Sequence, residues 1–333
     1  MSLPRKDVGK LAPMGRTGKA FQMDMTERGD PANQVVALAE RRVPWIQRLR
    51  WALGILRAYR ASNLENADGQ IIFHQKLSAI IKTTLGPDLS RLRLLEIGCG
   101  QRASQTILFT ADGLETMGID VEVPTFRMTL RSLLQMLRAN GWERGLKSIF
   151  RHWLFDGQFF RRLSCQYGKP LPLDRVDVRL MNATHMKLPD DYFNFIFSSL
   201  VFEHIDDLPA AVREVNRVLK PQGRAWINIH LFPSLSGGHH PEWTDARRPT
   251  HPRMPPWDHL LDNRYPAHTH LNRLCLTDYR KIFNTYLEVL EESPVMEMAR
   301  ELSPGLEEIL VAKGYTREDL LTREVAFLCR EKR

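Results

Sequence analysis

The order of apolar and polar positions changes character several times along the chain. Residues 1–30 are polar, rich in Gly, Pro and Lys and without periodicity, and read as a flexible tail. Over 31–85 the spacing is helical. Trp45, Leu49, Ala52 or Leu53 and Leu56 fall on one stripe among arginines, and a further helix is expected over 73–84, stopped by Gly86-Pro87. At Arg93-Leu94-Leu95-Glu96-Ile97 a short apolar strand runs into Gly98-Cys99-Gly100. A helix-like stretch over 103–110 and a strand over 116–119 follow, which makes a βαβ unit with parallel strands. Residues 125–172 interrupt this rhythm with two or three basic, aromatic-bearing helices, and then the alternation resumes. Strands are expected over 176–181, 193–198 and 224–231, with a helix over 208–219 and a turn at Lys220-Pro221-Gln222-Gly223. A loop-like stretch over 232–272 precedes a helix over 276–286, a strand over 287–295, a second helix to Gly314 and a strand over 324–329. The last two strands form an antiparallel pair. The expectation is one α/β domain over 91–331 with a seven-stranded, mostly parallel sheet. It carries N-terminal helices over 31–90, a helical insertion over 125–172 and a His-rich loop over 232–272.

Composition narrows the class without naming it. A hydrophobic fraction of 43% in 333 residues suffices for a sizeable core and speaks against wholesale disorder. No apolar run reaches the ~18 residues of a membrane span, and the basic N-terminus lacks the apolar segment of a secretory signal. Cys99, Cys165, Cys275 and Cys329 lie far apart with no CxxC pair, which argues against a disulfide framework or a structural zinc site; the cytoplasm is the expected compartment. The net charge of +8 is unevenly spread, with ten Lys/Arg against three acids between Arg127 and Arg175 and six Arg without an acid over 41–61. Such patches attract phosphates, anionic lipids or acidic glycans, and also occur as ordinary solvated faces.

The first strand–turn–helix carries the chemistry. Glycines at 98 and 100 let a ligand approach backbone where no Cβ stands in the way. Gly98-Cys99-Gly100-Gln101-Arg102-Ala103 is compatible with a dinucleotide fingerprint, so this spacing alone leaves a nicotinamide enzyme open. Asp120, 20 residues beyond Gly100, offers two carboxylate oxygens to the hydroxyls of an adenosine ribose. Glu96 sits inside the first strand. A negative charge there opposes a pyrophosphate but favours a cationic sulfonium and its α-amino group. That choice points to S-adenosylmethionine rather than NAD, and Cys99 reads as a small residue filling a tight turn.

Together, LLEIGCG, GID and NATHMKLPDDYFNFIFSSLVFEHIDDLPAAVREVNRVLKPQGRAWI resemble the class I methyltransferases of the type 11 group. The resemblance covers roughly 91–124 and 176–231. It implies a Rossmann-like sheet and an S-adenosylmethionine cofactor. The glycine loop would be at Gly98 to Gly100, the ribose acid at Asp120 beside Val121, adenine contacts at Asn182-Ala183, and the fourth strand end at Ser199. Asn182 stands where Asp is usual, and Asn194 replaces the common Asp of the FD pair. Glu203-His204 matches the family's Glu-His pair, and its plainer reading is that it caps or packs the next helix.

Methyl transfer from a sulfonium is an in-line displacement, so a hydroxyl acceptor chiefly requires a base. The loop over 232–272 supplies six histidines, and His239-His240 after Gly237-Gly238 are the expected catalytic pair. A divalent site using either with Glu242 or Asp245 has no recognised ligand spacing behind it, and no metal is expected. The Asn/Asp-Pro-Pro-aromatic run of base methylases is replaced by Ser198-Ser199-Leu200-Val201-Phe202, so no nucleic-acid partner is expected. Trp243, Trp257 and Tyr265 offer flat stacking surfaces that suit a saccharide, polysaccharide or glycolipid acceptor. The basic helices could touch the inner face of a membrane as a peripheral contact. A small natural product or quinone-like acceptor, and a non-catalytic donor-binding protein, stay open.

Overall fold

The computed structural model describes residues 45–122, 124, 126, 152–240, 243, 254–267, 269–297 and 299–333. The chain divides into two compact units, Met1–Ala52 and Leu53–Arg333, and in the first only the start of a helix is described. The expected tail over 1–30, most of the basic insertion and residues 244–253 lie outside the described residues.

Seven strands form one sheet: β1 (Arg93–Ile97), β2 (Glu115–Asp120), β3 (Asp177–Leu180), β4 (Phe193–Ser199), β5 (Leu219–His230), β6 (Leu287–Met296) and β7 (Thr322–Glu331). Their order is β3-β2-β1-β4-β5-β7-β6, with β7 antiparallel to both β5 and β6 and the other pairs parallel. The expected Rossmann-like, mostly parallel sheet is present, including the antiparallel pair at its far edge. Strand order reverses direction of growth between β1 and β4, the place where open α/β sheets bind ligands at their C-terminal strand ends.

The helices are α1 (Trp45–Leu85), α2 (Ser104–Ala111), α3 (Gly157–Tyr167), α4 (Leu208–Val218), α5 (Leu276–Tyr286), α6 (Pro304–Ala312) and α7 (Arg317–Leu321). Parallel strands buried on both faces need apolar residues pointing both ways, and β4 shows it: Phe193, Phe195, Ile196 and Phe197 are all buried. On one face Leu77 and Ile81 of α1 pack with Phe109, Phe195, Phe197 and Trp226. On the other, Ala211, Val212, Val215 and Val218 of α4 join Tyr279 and Phe283 of α5. The first turn of α4 is fixed by Asp207, whose side chain accepts from the Ala210 N–H, and by Pro209.

Three expectations change, and one of the basic helices expected in the insertion is present as α3. The two N-terminal helices are one helix, α1, through the polar stretch 62–70. The turn at 220–223 is a bulge within β5, where pairing steps from Phe193–Leu219 to Phe195–Arg224 and Gln222 takes φ 64°. The insertion's described end is a π turn, His152–Asp156, leading into α3. The loop over 232–272 is packed. Phe232, Leu235, Trp243, Met254, Trp257 and Leu260 form a second core with Leu302, Leu310 and Leu320.

Candidate functional site

β1 ends at a bend that its neighbours hold in place. The N–H groups of Gly98 and Cys99 donate to the Ile119 carbonyl at 2.8 and 3.2 Å. Gly98 has φ +75°, and a Cβ there would meet the Val201 side chain at 2.2 Å, so the position excludes any side chain on two counts. Gly100 has φ +65° but open space around its missing Cβ. Asp120 clamps the loop from the tip of β2. One carboxylate oxygen accepts from the Gly100 N–H at 2.7 Å and the other from the Glu122 N–H at 2.8 Å.

Over this bend lies a cavity of about 640 Å3, within the 300–1,000 Å3 typical of small-ligand pockets. Glu96, Gly98, Cys99, Gly100 and Ser199 line it. Asp120 holds the loop from just outside that lining. Val121 is 65% exposed beside it. Asn182 is exposed, its side chain accepting from the Thr184 N–H at 3.0 Å, and Ala183 is buried in the main core. Neither joins the lining.

Sequence reasoning missed the opposite wall. Ser62, Asn63, Asn66, Gln70 and Phe73 of α1 close the cavity, with Arg102 and Phe159 at its edge. Gln105 ties α2 to this wall, donating to the Gln70 carbonyl at 2.8 Å and to its side-chain oxygen at 2.9 Å. Arg102 lies over the Phe159 ring, 4.2 Å from its centroid, and pairs with the fully buried Asp156 at 2.8 Å. The signal was the polar residues in a helical register, which interrupt the apolar stripe where the ligand space begins.

Glu96 is 9% exposed and accepts from Thr106 twice, from its N–H at 2.8 Å and its hydroxyl at 2.5 Å. Burial nevertheless pushes its pKa up to about 7, the Thr106 hydrogen bonds offsetting only part of that cost. A cation in the cavity would favour the ionised form. Cys99 is buried against Gly118, where a Cβ would sit 3.0 Å from its sulfur. Burial, with Glu96 and Asp120 nearby, pushes its thiol well above 9, consistent with a packing role.

Beyond Ser199 the chain passes Leu200 and Val201 into a short 3-10 turn, Phe202–His204. Glu203 is 1% exposed, and among the described residues neither of its carboxylate oxygens has a hydrogen-bond partner. Burial raises its pKa to about 8, with the N–H groups of Glu203 itself and His230 near enough to moderate the rise. His239 comes to the same place. It stands 5.2 Å edge-on to His204 and 4.8 Å stacked on His230, between ring centroids. Gly237 and Gly238 permit this. A Cβ on the first would meet the Phe232 carbonyl oxygen at 2.2 Å, and on the second the His259 ring at 2.8 Å. Burial lowers the His239 pKa to about 4, so its imidazole is neutral near pH 7. His240 instead faces Tyr265, with 5.8 Å between ring centroids. Of the expected pair, only His239 reaches Glu203 and His204. The other expectation corrected here concerns Trp243 and Trp257, which are 3% and 0% exposed and buried in the second core rather than offered for stacking. Tyr265 is 38% exposed.

A family model described as a methyltransferase domain matches residues 70–286. No curated protein sequence matches the chain. Among solved structures, the chain is similar to geranyl diphosphate C-methyltransferase from Streptomyces coelicolor, at 13% identity over 78% of this chain and 79% of that one, TM-score 0.43. It is also similar to phosphoethanolamine N-methyltransferase 2 of Haemonchus contortus, at 17% identity over 77% of this chain and 52% of that one, TM-score 0.41.

Proposed function

Because this chain belongs to the methyltransferase-domain family, and so is a class I S-adenosylmethionine-dependent methyltransferase, we propose that it methylates a hydroxyl oxygen on a saccharide or glycolipid-type acceptor. The donor, when bound, supplies an electrophilic methyl group on a sulfonium. The residues around the cavity fit it: a buried carboxylate at Glu96 whose hydrogen bonds come from Thr106 rather than from a cation, and bare backbone at Gly98 and Gly100. In this reading Asp120 accepts from the ribose hydroxyls while its clamp on Gly100 keeps the loop preformed. Glu96 favours the donor's positive charge in a poorly hydrated space. Val121, Cys99 and Ser199 flank the nucleoside. Asn182 and Ala183, just past β3, are the adenine contacts of this reading, and neither lines the cavity.

The observation that carries oxygen as the accepting atom is the neutral, buried His239 beside Glu203 and His204, on the segments that follow β4 and β5. An alcohol must lose its proton as its oxygen attacks the methyl carbon and the carbon–sulfur bond breaks. This cluster is where the proton's departure is assisted. His239→Asn should leave donor affinity intact and slow turnover by about 10²–10⁴-fold, the usual worth of positioned acid–base help. Unchanged turnover overturns that assignment. His240, on the Tyr265 side of the loop, is then an acceptor contact rather than a base.

The saccharide class is supported by the polar histidine- and arginine-bearing loop and by the cationic composition over 127–175, which would suit an acidic glycan or a lipid-linked substrate at a membrane surface. A smaller aromatic or quinone-like metabolite is the second reading, favoured by the burial of Trp243 and Trp257. Labelled donor incubated with glycan, lipid and small-metabolite fractions of the native host separates them. Label released as a methoxy-sugar is expected. Label confined to small metabolites supports the second reading, and donor binding without transfer to any fraction identifies a non-catalytic binding protein. Among the described residues no helix is long and apolar enough to cross a membrane.

A further inference from the structure

We propose that Glu203, His204 and His239 bind one divalent transition-metal cation of the zinc type. A ligand atom from each lies within 4.8 Å of the others. Donors around a tetrahedral ion with bonds of about 2.1 Å stand roughly 3.4 Å apart, so modest side-chain rotation closes the set. One carboxylate and two imidazoles form a donor set that zinc accepts, leaving a fourth position open to an oxygen ligand.

Three independent features point to an ion rather than to ordinary packing. Glu203 is buried and both its oxygens lack partners among the described residues, an arrangement that costs several kcal/mol for an ionised carboxylate unless a cation compensates it. The Nε2 of His239 is likewise buried without a partner among those residues. His204 has its Nδ1 2.7 Å from the His270 carbonyl oxygen, so Nδ1 carries the proton and Nε2 keeps its lone pair. That is the outer hydrogen bond that orients metal-ligating histidines. His230, by contrast, has its Nε2 2.9 Å from the Ser236 hydroxyl and serves as the stacking wall behind His239. Glu324, whose charge bears on both Glu203 and His230, adds negative potential to the pocket.

No local spacing announces this site, because Glu203 and His239 are brought together only by the pairing of β4 with β5. Binding stands on this geometry alone. Its use rests on the O-methyl transfer reading. With His239 held as a ligand, the cluster assists the proton's departure by acidifying the acceptor rather than by His239 taking the proton: a hydroxyl at the open position would become more acidic, release its proton to water and attack the methyl carbon as the carbon–sulfur bond breaks, leaving S-adenosylhomocysteine.

The test uses the full chain, stripped with a chelator and titrated with Zn2+ by calorimetry and with Co2+ by visible absorption. One equivalent should bind, with the intense visible bands of low-coordinate cobalt. His239→Asn and Glu203→Gln should each weaken binding by about a hundredfold or more, while exposed His185→Ala binds as wild type. S-Adenosylhomocysteine affinity should be unchanged in all three, which separates failure here from failure of the donor site. No stoichiometric uptake of either ion overturns the proposal, as does uptake that survives both ligand substitutions. Should Glu203→Gln not fold, His239→Asn decides alone. A folded Glu203→Gln that is more stable than metal-free wild type, in a protein that takes up no ion, identifies Glu203 as a buried neutral acid and overturns the site.

Discussion

Replacing Gly98 by alanine adds one methyl group where β1 turns into the cavity floor. The backbone there has φ +75°, a left-handed conformation that costs a residue with a Cβ about 1 kcal/mol. The new carbon would also sit 2.2 Å from Val201 Cγ2 and 2.7 Å from Cγ1, far inside contact distance. Relieving that overlap moves either the loop or the segment after β4, and overpacking of this kind costs about 1–3 kcal/mol. The sum is roughly 2–4 kcal/mol, which for a chain of 333 residues lowers the thermal midpoint by roughly 3–6 °C. Gly100→Ala provides the internal comparison. Its φ is +65°, yet nothing lies within 4 Å of its Cβ, so it should cost only the backbone term. Thermal melts and calorimetry with S-adenosylhomocysteine read both. Gly98→Ala should lose donor affinity by at least about tenfold. In the double variant Gly98→Ala/Val201→Ala the two closest contacts are removed and only the Val201 Cβ remains, at 2.9 Å, so the two losses should fall short of additive by about 1 kcal/mol or more. Equal losses for the two glycine variants, or strict additivity with Val201→Ala, would refute the reasoning.

Glu96 should leave a signature in the pH dependence of stability. Its pKa is raised from 4.5 to about 7 by burial, so its contribution is full below about pH 4.5 and is lost as pH climbs through 7. The difference between wild type and Glu96→Gln in chemical denaturation should therefore change by about 3 kcal/mol between pH 4.5 and 8, and a flat difference contradicts the burial argument. Donor affinity should rise over the same interval in wild type only, because the ionised carboxylate favours the sulfonium. Thiol labelling tests the packing role of Cys99. In the native protein Cys165, which is exposed, should react with a maleimide first, while buried Cys99 and Cys329 stay protected. Cys99→Ala should keep its turnover, and its loss would reopen a chemical role for that sulfur.

Much of this architecture could be read from local pattern, and the gaps have physical causes. The β1 turn was legible because left-handed backbone and close approach at Gly98 are short-range demands written into the residue type. The strands themselves followed from short apolar runs that must be covered on both faces. The continuity of α1 was not legible. Ser62, Asn63, Asn66 and Gln70 break the apolar stripe, and they do so because they face the ligand space, with Gln70 held by Gln105 across the cavity. The polarity of the site thus concealed the helix that carries it. Trp243 and Trp257 looked like surface aromatics because their segment has no period. Their burial depends on Leu302, Leu310 and Leu320, 45 to 77 residues later in the chain, a contact that local sequence does not encode. His239 and His240 are indistinguishable as neighbours in sequence. Only the positive φ of His239, 54°, and the tight packing of Gly237 and Gly238 turn one of them toward Glu203.

The most direct measurement is calorimetric titration of S-adenosylhomocysteine into wild type and a folded Asp120→Ala variant. In the wild type, one molecule should bind per chain. In the variant, loss of the carboxylate removes the hydrogen bonds proposed to the ribose and releases the Gly100 N–H, so affinity should drop by about a hundredfold or beyond detection. Wild-type affinity in the variant would show that the donor is gripped elsewhere.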